Sequence, residues 1–377
     1  MIEPRAPWRE RIGKWYHSLP PGFWHIVVLV IVSRIIITFV GMFARLYIPD
    51  QNPDLMQFSS LPFLDVWGRW DSTWYYLISI GGYVKPIMYA WYPFYPLLIR
   101  AVTFIVRDAF IAGLVVSNVA LVIACVYLYK LACLDVRHDA AMRSVRYMLL
   151  WPTAFVLSAV LTESTFLALT LAAFYYARKD KWLLVGVLGC CMALTRIIGV
   201  FMILPLAFIY FKRLYVPPRS IDIKKVRPDI LSLLLMPLGA LGWVLFNYVK
   251  TGDPFAFFHV QTIWHRYAAG VIKVLTTAFS GSANEIVWAS CGIAALVVLV
   301  VFVRKMPFAY WLYSMLVLLV PLSTGTMSVP RYTLVIFPYF ILLGTLAKSR
   351  RIDIALSVIL ALLQIVCMMY WGTWVLA

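Results

Sequence analysis

The chain has 377 residues, of which 63% are hydrophobic and only 13% charged, with a mean hydropathy of +0.87. A soluble core of this size cannot hide so much apolar surface, so lipid must cover part of it. The net charge of +17 would suit nucleic acid on a soluble protein, but here the basic residues sit in short clusters between apolar runs, the mark of cytoplasmic loops, and nucleic acid is not an expected partner.

The first apolar run begins near Trp24 and continues to about Ile48. It is too long for the core of a signal peptide and reads as a first transmembrane helix. Further spans are expected at 110–133, 146–161, 163–177, 182–196, 197–211, 229–249, 285–303, 307–321, 331–347 and 353–372. Only Thr162 separates 146–161 from 163–177, which predicts a tight helical hairpin. With the N-terminus inside, most of the 33 Lys and Arg residues fall on inner loops. That orientation requires 91–107, which carries Trp, Tyr and Arg100, to lie in the outer interface instead of crossing. The fold class expected is therefore an all-α polytopic membrane protein with about eleven spans, one domain over 1–377, and two large outer segments at 49–109 and 250–284. Cys125, Cys133, Cys190, Cys191, Cys291 and Cys367 lie mostly within apolar runs without a C-x-x-C pattern, so they read as small buried hydrophobes.

Polar groups at membrane depth are costly and each needs a reason. On the outer side they gather in five places. Residues 63–83 hold Asp65, Arg69 and Asp71 among Trp67, Trp70, Trp74, Tyr75 and Tyr76. A partly desolvated carboxylate there suits a general base, or else an Asp that caps a helix or pairs with Arg69 in an aromatic belt. Glu163 stands between two spans, as a helix cap or the partner of a cation. Thr195-Arg196 marks another outer turn. Residues 250–266 carry Asp253, His259, Gln261, His265 and Arg266, and Pro330-Arg331-Tyr332 opens a further span. Arg196, Arg266 and Arg331 lie outside against the positive-inside trend. Their planar forks suit a phosphate; snorkelling, or ion pairs with Glu163 or Asp253, would also account for them. No phosphate-binding loop, dinucleotide fingerprint or zinc-protease motif is present, and neither a cofactor nor a metal is expected.

The segments RWDSTWYYLISIGGY (69–83), YPFYPLL (92–98), LTESTFLAL (161–169), ALTRIIGV (193–200), TGDPFAFFHVQTIWHR (251–266) and PRYTLVIFPYF (330–340) occur in that order. Together they resemble the PIG-V family of mannosyltransferases, over about residues 60–345. The resemblance implies a GT-C-type fold, with interfacial helices in a long first outer loop that carries the catalytic acid. It implies a polyprenyl-phosphate sugar donor, typically dolichyl-phosphate mannose, as substrate. It implies a glycolipid or glycan acceptor, with transfer on the outer or lumenal face and inversion at the anomeric carbon. Asp71 matches the acid of the family's W-D motif, with Asp65 the second choice. Arg331, Arg196, His259 and His265 are then expected at the donor phosphate. Arg69, Trp70, Trp74, Tyr75, Glu163, Asp253, Gln261, Arg266 and Tyr332 are expected around the substrates. The chain departs from the pattern in having a single Asp after R-W and in being short, which suggests a prokaryotic relative in the plasma membrane with another acceptor; a eukaryotic chain would belong in the endoplasmic reticulum. The rival readings are a transporter of lipid-linked glycans and a non-catalytic membrane scaffold.

Overall fold

The computed structural model describes residues 21–49, 56–216, 220–221, 226–264 and 266–373. Apart from a two-residue antiparallel ladder, Tyr215–Val216 against Ser220–Ile221, the regular structure of the described residues is helical. In chain order the principal helices are α1 (Phe23–Tyr47), α2 (Ser72–Gly81), α3 (Phe94–Val106), α4 (Ala109–Ala132), α5 (His138–Leu149), α6 (Glu163–Ala177), α7 (Trp182–Ala193), α8 (Ile203–Leu214), α9 (Leu235–Thr251), α10 (Val271–Ala278), α11 (Ala283–Val301), α12 (Phe308–Leu322), α13 (Val329–Leu334), α14 (Phe337–Leu346) and α15 (Arg350–Gly372). Five stretches are long and apolar enough to cross a bilayer unaided: α1, α4, Pro228–Thr251, α11 and α15. The chain is a multi-pass membrane protein.

The apolar stripes sort the helices. α1 and α15 turn most of their large side chains outward, as helices bathed in lipid do. They cross closely at Gly41, where an added Cβ would lie 2.7 Å from Val66 Cγ2 and clash with Met368. The indole of Trp371 donates to the Val66 carbonyl at 2.9 Å, so the segment between α1 and α4 is fastened onto this crossing. α6 is buried nearly all round, and the core gathers about it, against α4, α7 and the 150–162 stretch. Its first residue is Glu163.

The expected span at 146–161 differs from what the chain adopts. α5 stops at Leu149, and 150–162 continues as turns with one 3-10 turn at Ala154–Leu157. Pro152 cannot continue a helix, and the surroundings supply what the backbone then lacks. Arg34, in the middle of α1, donates from Nη1 to the Ala154 carbonyl at 2.8 Å and from Nη2 to that of Leu149 at 3.3 Å. Gln364 donates to Leu149 at 2.9 Å, and the Val160 N–H donates to the Trp67 carbonyl at 3.2 Å. Irregular backbone at membrane depth is tolerated only where protein satisfies it in this way. Two other expected spans are also broken. Residues 197–211 split into Ile198–Phe201 and α8, and 331–347 splits into α13 and α14.

The stretch expected in the interface, 91–107, folds as α3. At 13 residues and about 1.5 Å per residue it is too short to cross a bilayer. It buries Tyr95, Pro96 and Ile99 and leaves Phe104 and Ile105 outward. Arg107 turns the chain in the left-handed region at φ 66°, and Asp108 caps α4 by accepting the Ile111 N–H at 2.8 Å. In the second outer segment, α9 ends at Gly252, whose φ of +75° closes the helix as few side-chain-bearing residues can. A one-turn helix (Ala256–His259), a 3-10 turn (Val260–Trp264) and α10 follow.

Candidate functional site

Three separate segments meet at one cluster. Asp71 is the residue before α2, Glu163 opens α6, and Arg331 lies in α13. Arg331 bridges the two acids. Its Nη2 and Nε reach Glu163 Oε1 at 2.8 and 3.2 Å, and its Nη1 reaches Asp71 Oδ2 at 3.2 Å. Arg196, from the turn after α7, brings Nη1 to 3.2 Å from the same Glu163 oxygen, without the alignment of a hydrogen bond. Two guanidinium groups and two carboxylates therefore balance in charge, but unequally in exposure. Glu163 is fully buried and Arg331 is 8% exposed, whereas Asp71 is 36% exposed. Glu163 thus acts as the fixed anion that holds both arginines, and Asp71 is the member that faces outward. Glu163 Oε2 has no hydrogen-bond partner among the described residues.

Local backbone sets this geometry. Trp70, immediately before Asp71, has φ 53°, and Ser328, three residues before Arg331, has φ 66°. Non-glycine residues in that region cost of order 1–3 kcal/mol and persist where surrounding contacts over-determine them. Here the Ser72 hydroxyl accepts the Arg69 N–H at 3.2 Å. Thr153 donates to the Pro330 carbonyl at 3.1 Å, and the Trp151 indole reaches Thr333 Oγ1 at 3.3 Å. The irregular 150–162 stretch therefore ends in Glu163 and also grips the turn that carries Arg331.

The other expected residues divide into neighbours and outliers. Tyr75 packs edge-on to Tyr95 at 5.1 Å; burial, reinforced by Asp71, pushes its phenol up, so it stays a neutral donor. The Arg196 guanidinium lies over the Tyr332 ring at 5.8 Å. Trp74 stacks on Trp91 at 5.0 Å, and Trp91 meets Trp264 edge-on at 5.5 Å, which joins the segment before α4 to the one after α9. Asp65 has different company. It is buried and accepts from Arg45 at 2.8 Å, Arg69 at 3.0 Å and the Phe58 N–H at 2.7 Å. Arg69 is itself buried, with further bonds to the Asp65 and Gly68 carbonyls. Arg266 reaches the Met327 carbonyl at 3.0 Å, so it braces the loop before Arg331 instead of facing the cluster. Gln261 lies on the 3-10 turn, where its carbonyl accepts the Arg266 N–H.

Asp253 and His259 pair with each other, Oδ2 to Nδ1 at 2.7 Å, along an open groove between the segment after α9 and residues 83–89. This bond and the Phe255 N–H hold the Asp253 carboxyl below its usual range. His259 is thus set apart from the arginine cluster. His265 lies outside the described residues. Among the described residues no group of three His, Cys, Asp or Glu side chains is placed to hold a metal ion. Sequence reasoning overlooked Trp151, Thr153 and the supporting role of Arg34. The last had a signal, a lone cation inside an apolar run.

No family model matches the chain, and no curated protein does. Solved structures do. ArnT from Cupriavidus metallidurans, bound to undecaprenyl phosphate, superposes with a TM-score of 0.55 at 13% identity, over 90% of this chain. The aligned chain spans 63% of that protein's length. An Archaeoglobus fulgidus oligosaccharyltransferase tethered to an acceptor peptide gives a TM-score of 0.43 at 12% identity, over 92% of this chain and 55% of its own. The same organism's oligosaccharyltransferase AglB, in complex with an inhibitory peptide and a dolichol-phosphate, gives 0.40 at 12%, over 92% and 56%. At such identities the likeness concerns fold: the chain has an all-helical, multi-pass GT-C-type architecture.

Proposed function

We propose that this chain is an inverting membrane glycosyltransferase that takes a sugar from a polyprenyl phosphate. The sugar is mannose by the resemblance to the PIG-V family, and the acceptor is a glycolipid or glycan on the outer face. The observation that carries the reading is the Asp71–Arg331–Glu163–Arg196 cluster. It joins a half-open carboxylate to two arginines held by a buried one. The undecaprenyl phosphate in the ArnT structure, whose fold this chain shares, supports a lipid-phosphate donor.

In this reading the acceptor hydroxyl attacks the anomeric carbon and Asp71 accepts its proton. The bond from that carbon to the phosphate oxygen breaks, and its electron pair leaves with the phosphate. Arg331 and Arg196 meet the growing charge. The two events are coupled through Arg331. As Asp71 is neutralised, Nη1 loses its anionic partner just as a phosphate oxygen gains charge. Glu163 stays buried and ionised, so the arginines remain in place through the turnover. Asp65 is a support of the loop, already engaged by Arg45, Arg69 and the Phe58 and Ser59 N–H groups, and not the base. No resident cofactor is part of the reaction.

Protein reconstituted in vesicles and given radiolabelled polyprenyl-phosphate mannose with a membrane-lipid extract is expected to yield a labelled product larger than the donor. Movement of label across the vesicle without a new product would instead point to a transporter. The same reading has the N-terminus and Asp180 cytoplasmic and Gly281 outside. A cysteine tag at Gly281 should then react with an impermeant reagent in intact cells, and one at Asp180 should not.

A further inference from the structure

At the far end of α2 from Asp71, the two outer segments enclose an open groove of about 700 Å³. Ten residues of α2 at about 1.5 Å each set it roughly 15 Å from the cluster. One wall runs from Tyr83 to Tyr89 and the other from Lys250 to Ile263. Lys85 precedes the 3-10 turn Pro86–Ala90, and Lys250 lies in the last turn of α9; both are exposed. His259 also lines the groove, and Asp253 is the one acid there. The balance is two fixed positive charges against one negative, and the Asp253 carboxylate is already engaged by His259.

Around these cations the surface is apolar. Val84 and Ile263 line the groove and are 70% and 56% exposed, and Phe255 and Phe258, in the same segment as Ile263, are exposed as well. Lys250 lies in the last turn of Pro228–Thr251, one of the stretches apolar and long enough to cross the bilayer, so the groove sits at the end of such a helix. Cations within an exposed apolar rim at a helix end match the boundary between an acyl chain and an anionic headgroup. Behind the groove, Tyr89, Tyr92, Trp243 and Phe257 form a buried aromatic cluster against which Tyr83 packs, and Tyr83 donates to the Trp91 carbonyl at 2.8 Å. Trp91 is also the ring on which Trp74 of α2 stacks, so the groove and the Asp71 segment share one support.

We propose that this groove binds the phosphate-bearing headgroup of an anionic lipid, with Lys85 and Lys250 on the phosphate, and that this lipid is the acceptor. The binding site stands on its own geometry; the role as acceptor rests on the glycosyltransferase reading. A headgroup held there leaves about 15 Å for a glycan to reach Asp71 along α2.

The test uses the full chain in detergent, titrated with short-chain phosphatidylglycerol, short-chain phosphatidylcholine or inorganic phosphate, with binding read by intrinsic tryptophan fluorescence. Phosphatidylglycerol is expected to bind at least about tenfold more tightly than phosphatidylcholine. Lys85→Ala/Lys250→Ala should lose that preference and Lys85→Arg/Lys250→Arg should keep it. Asp71→Asn should bind as the parent does, which separates this site from the reacting cluster. Equal affinity for the two lipids, or an unchanged preference in the alanine pair, overturns the proposal. Inorganic phosphate binding as tightly as phosphatidylglycerol overturns the lipid as the source of the phosphate. In an active preparation the alanine pair should raise KM for the acceptor about tenfold with kcat and donor KM unchanged. An unchanged acceptor KM removes the acceptor role, and absence of transfer in the parent protein bears on the activity alone.

Discussion

Asp65 and Asp71 lie six residues apart in the same segment between α1 and α2, and the fold treats them in opposite ways. Asp65 is sealed beneath Arg45, Arg69 and the Phe58 and Ser59 N–H groups. Asp71 stands a third exposed with one ionic partner, Arg331, which is itself shared with Glu163. A carboxylate whose lone pairs are filled by protein donors holds a loop in shape. One with lone pairs left toward the outside has something to offer a substrate. In an aromatic, membrane-facing segment, the useful question about an acid is therefore how many of its acceptor positions are taken.

The comparison breaks first on activity. Asp71→Asn keeps the shape and removes the proton acceptor, so transfer should fall by about 10²–10⁴-fold with donor binding retained. A variant with parental turnover would end the assignment of Asp71. Next comes stability. Asp65→Ala leaves two guanidinium groups without their anion, and breaking a buried pair costs about 3–5 kcal/mol. It should purify poorly or melt early in a thermal denaturation series, whereas Asp71→Asn should melt near the parent. Should Asp65→Ala fold normally and lose only turnover, the two acids have been assigned the wrong way round. A smaller effect is expected from Arg331→Lys. An ammonium is a point charge that cannot reproduce the fork between Glu163 and Asp71. The variant should fold and use the lipid-phosphate sugar at least about tenfold less well, near 1.4 kcal/mol. Unchanged steady-state kinetics would leave the phosphate to Arg196. The smallest effect belongs to Asp253→Asn. Its pairing with His259 is exposed and set apart from the cluster, so donor kcat/KM should stay within about twofold. A large loss of donor use would bring the groove and the cluster into one site.

Much of the architecture was legible in hydropathy, because length and apolarity alone set the limits of α1, α4, α11 and α15 to within a few residues. The cluster was legible in part. Glu163, Arg196 and Arg331 stood out as charges at outer helix ends, and Asp71 as an acid among indoles. That one glutamate would hold both arginines depends on contacts 168 residues apart in sequence, which no local pattern encodes. The failure at 146–161 has a different origin. An apolar run reads the same whether it is a helix or a buried coil, and only Pro152 hinted at the break. What makes the coil affordable lies in α1 and α15, on the Arg34 and Gln364 side chains. Arg266 illustrates a third kind of gap. The sequence marks it as a cation suited to a phosphate, yet its fork is turned to a backbone carbonyl. Sequence marks a charge but not the direction in which it points.

The grip of Arg34 on the irregular stretch also has a history in time. Its chief acceptor, the Ala154 carbonyl, is 120 residues further along the chain. At about 5–20 residues per second, a ribosome delivers that carbonyl some 6–24 seconds after Arg34 itself. Until then α1 sits in or beside the bilayer with an uncompensated guanidinium near its middle, a penalty of about 2.5–3.5 kcal/mol for insertion. The strongly apolar remainder of α1 makes such a wait tolerable. The partner relieves it only when the stretch ending in Glu163 has been made. Birth order thus ties the first helix to the stretch that leads into Glu163: α1 enters early and gains its polar partners only once Leu149 and Ala154 have been made.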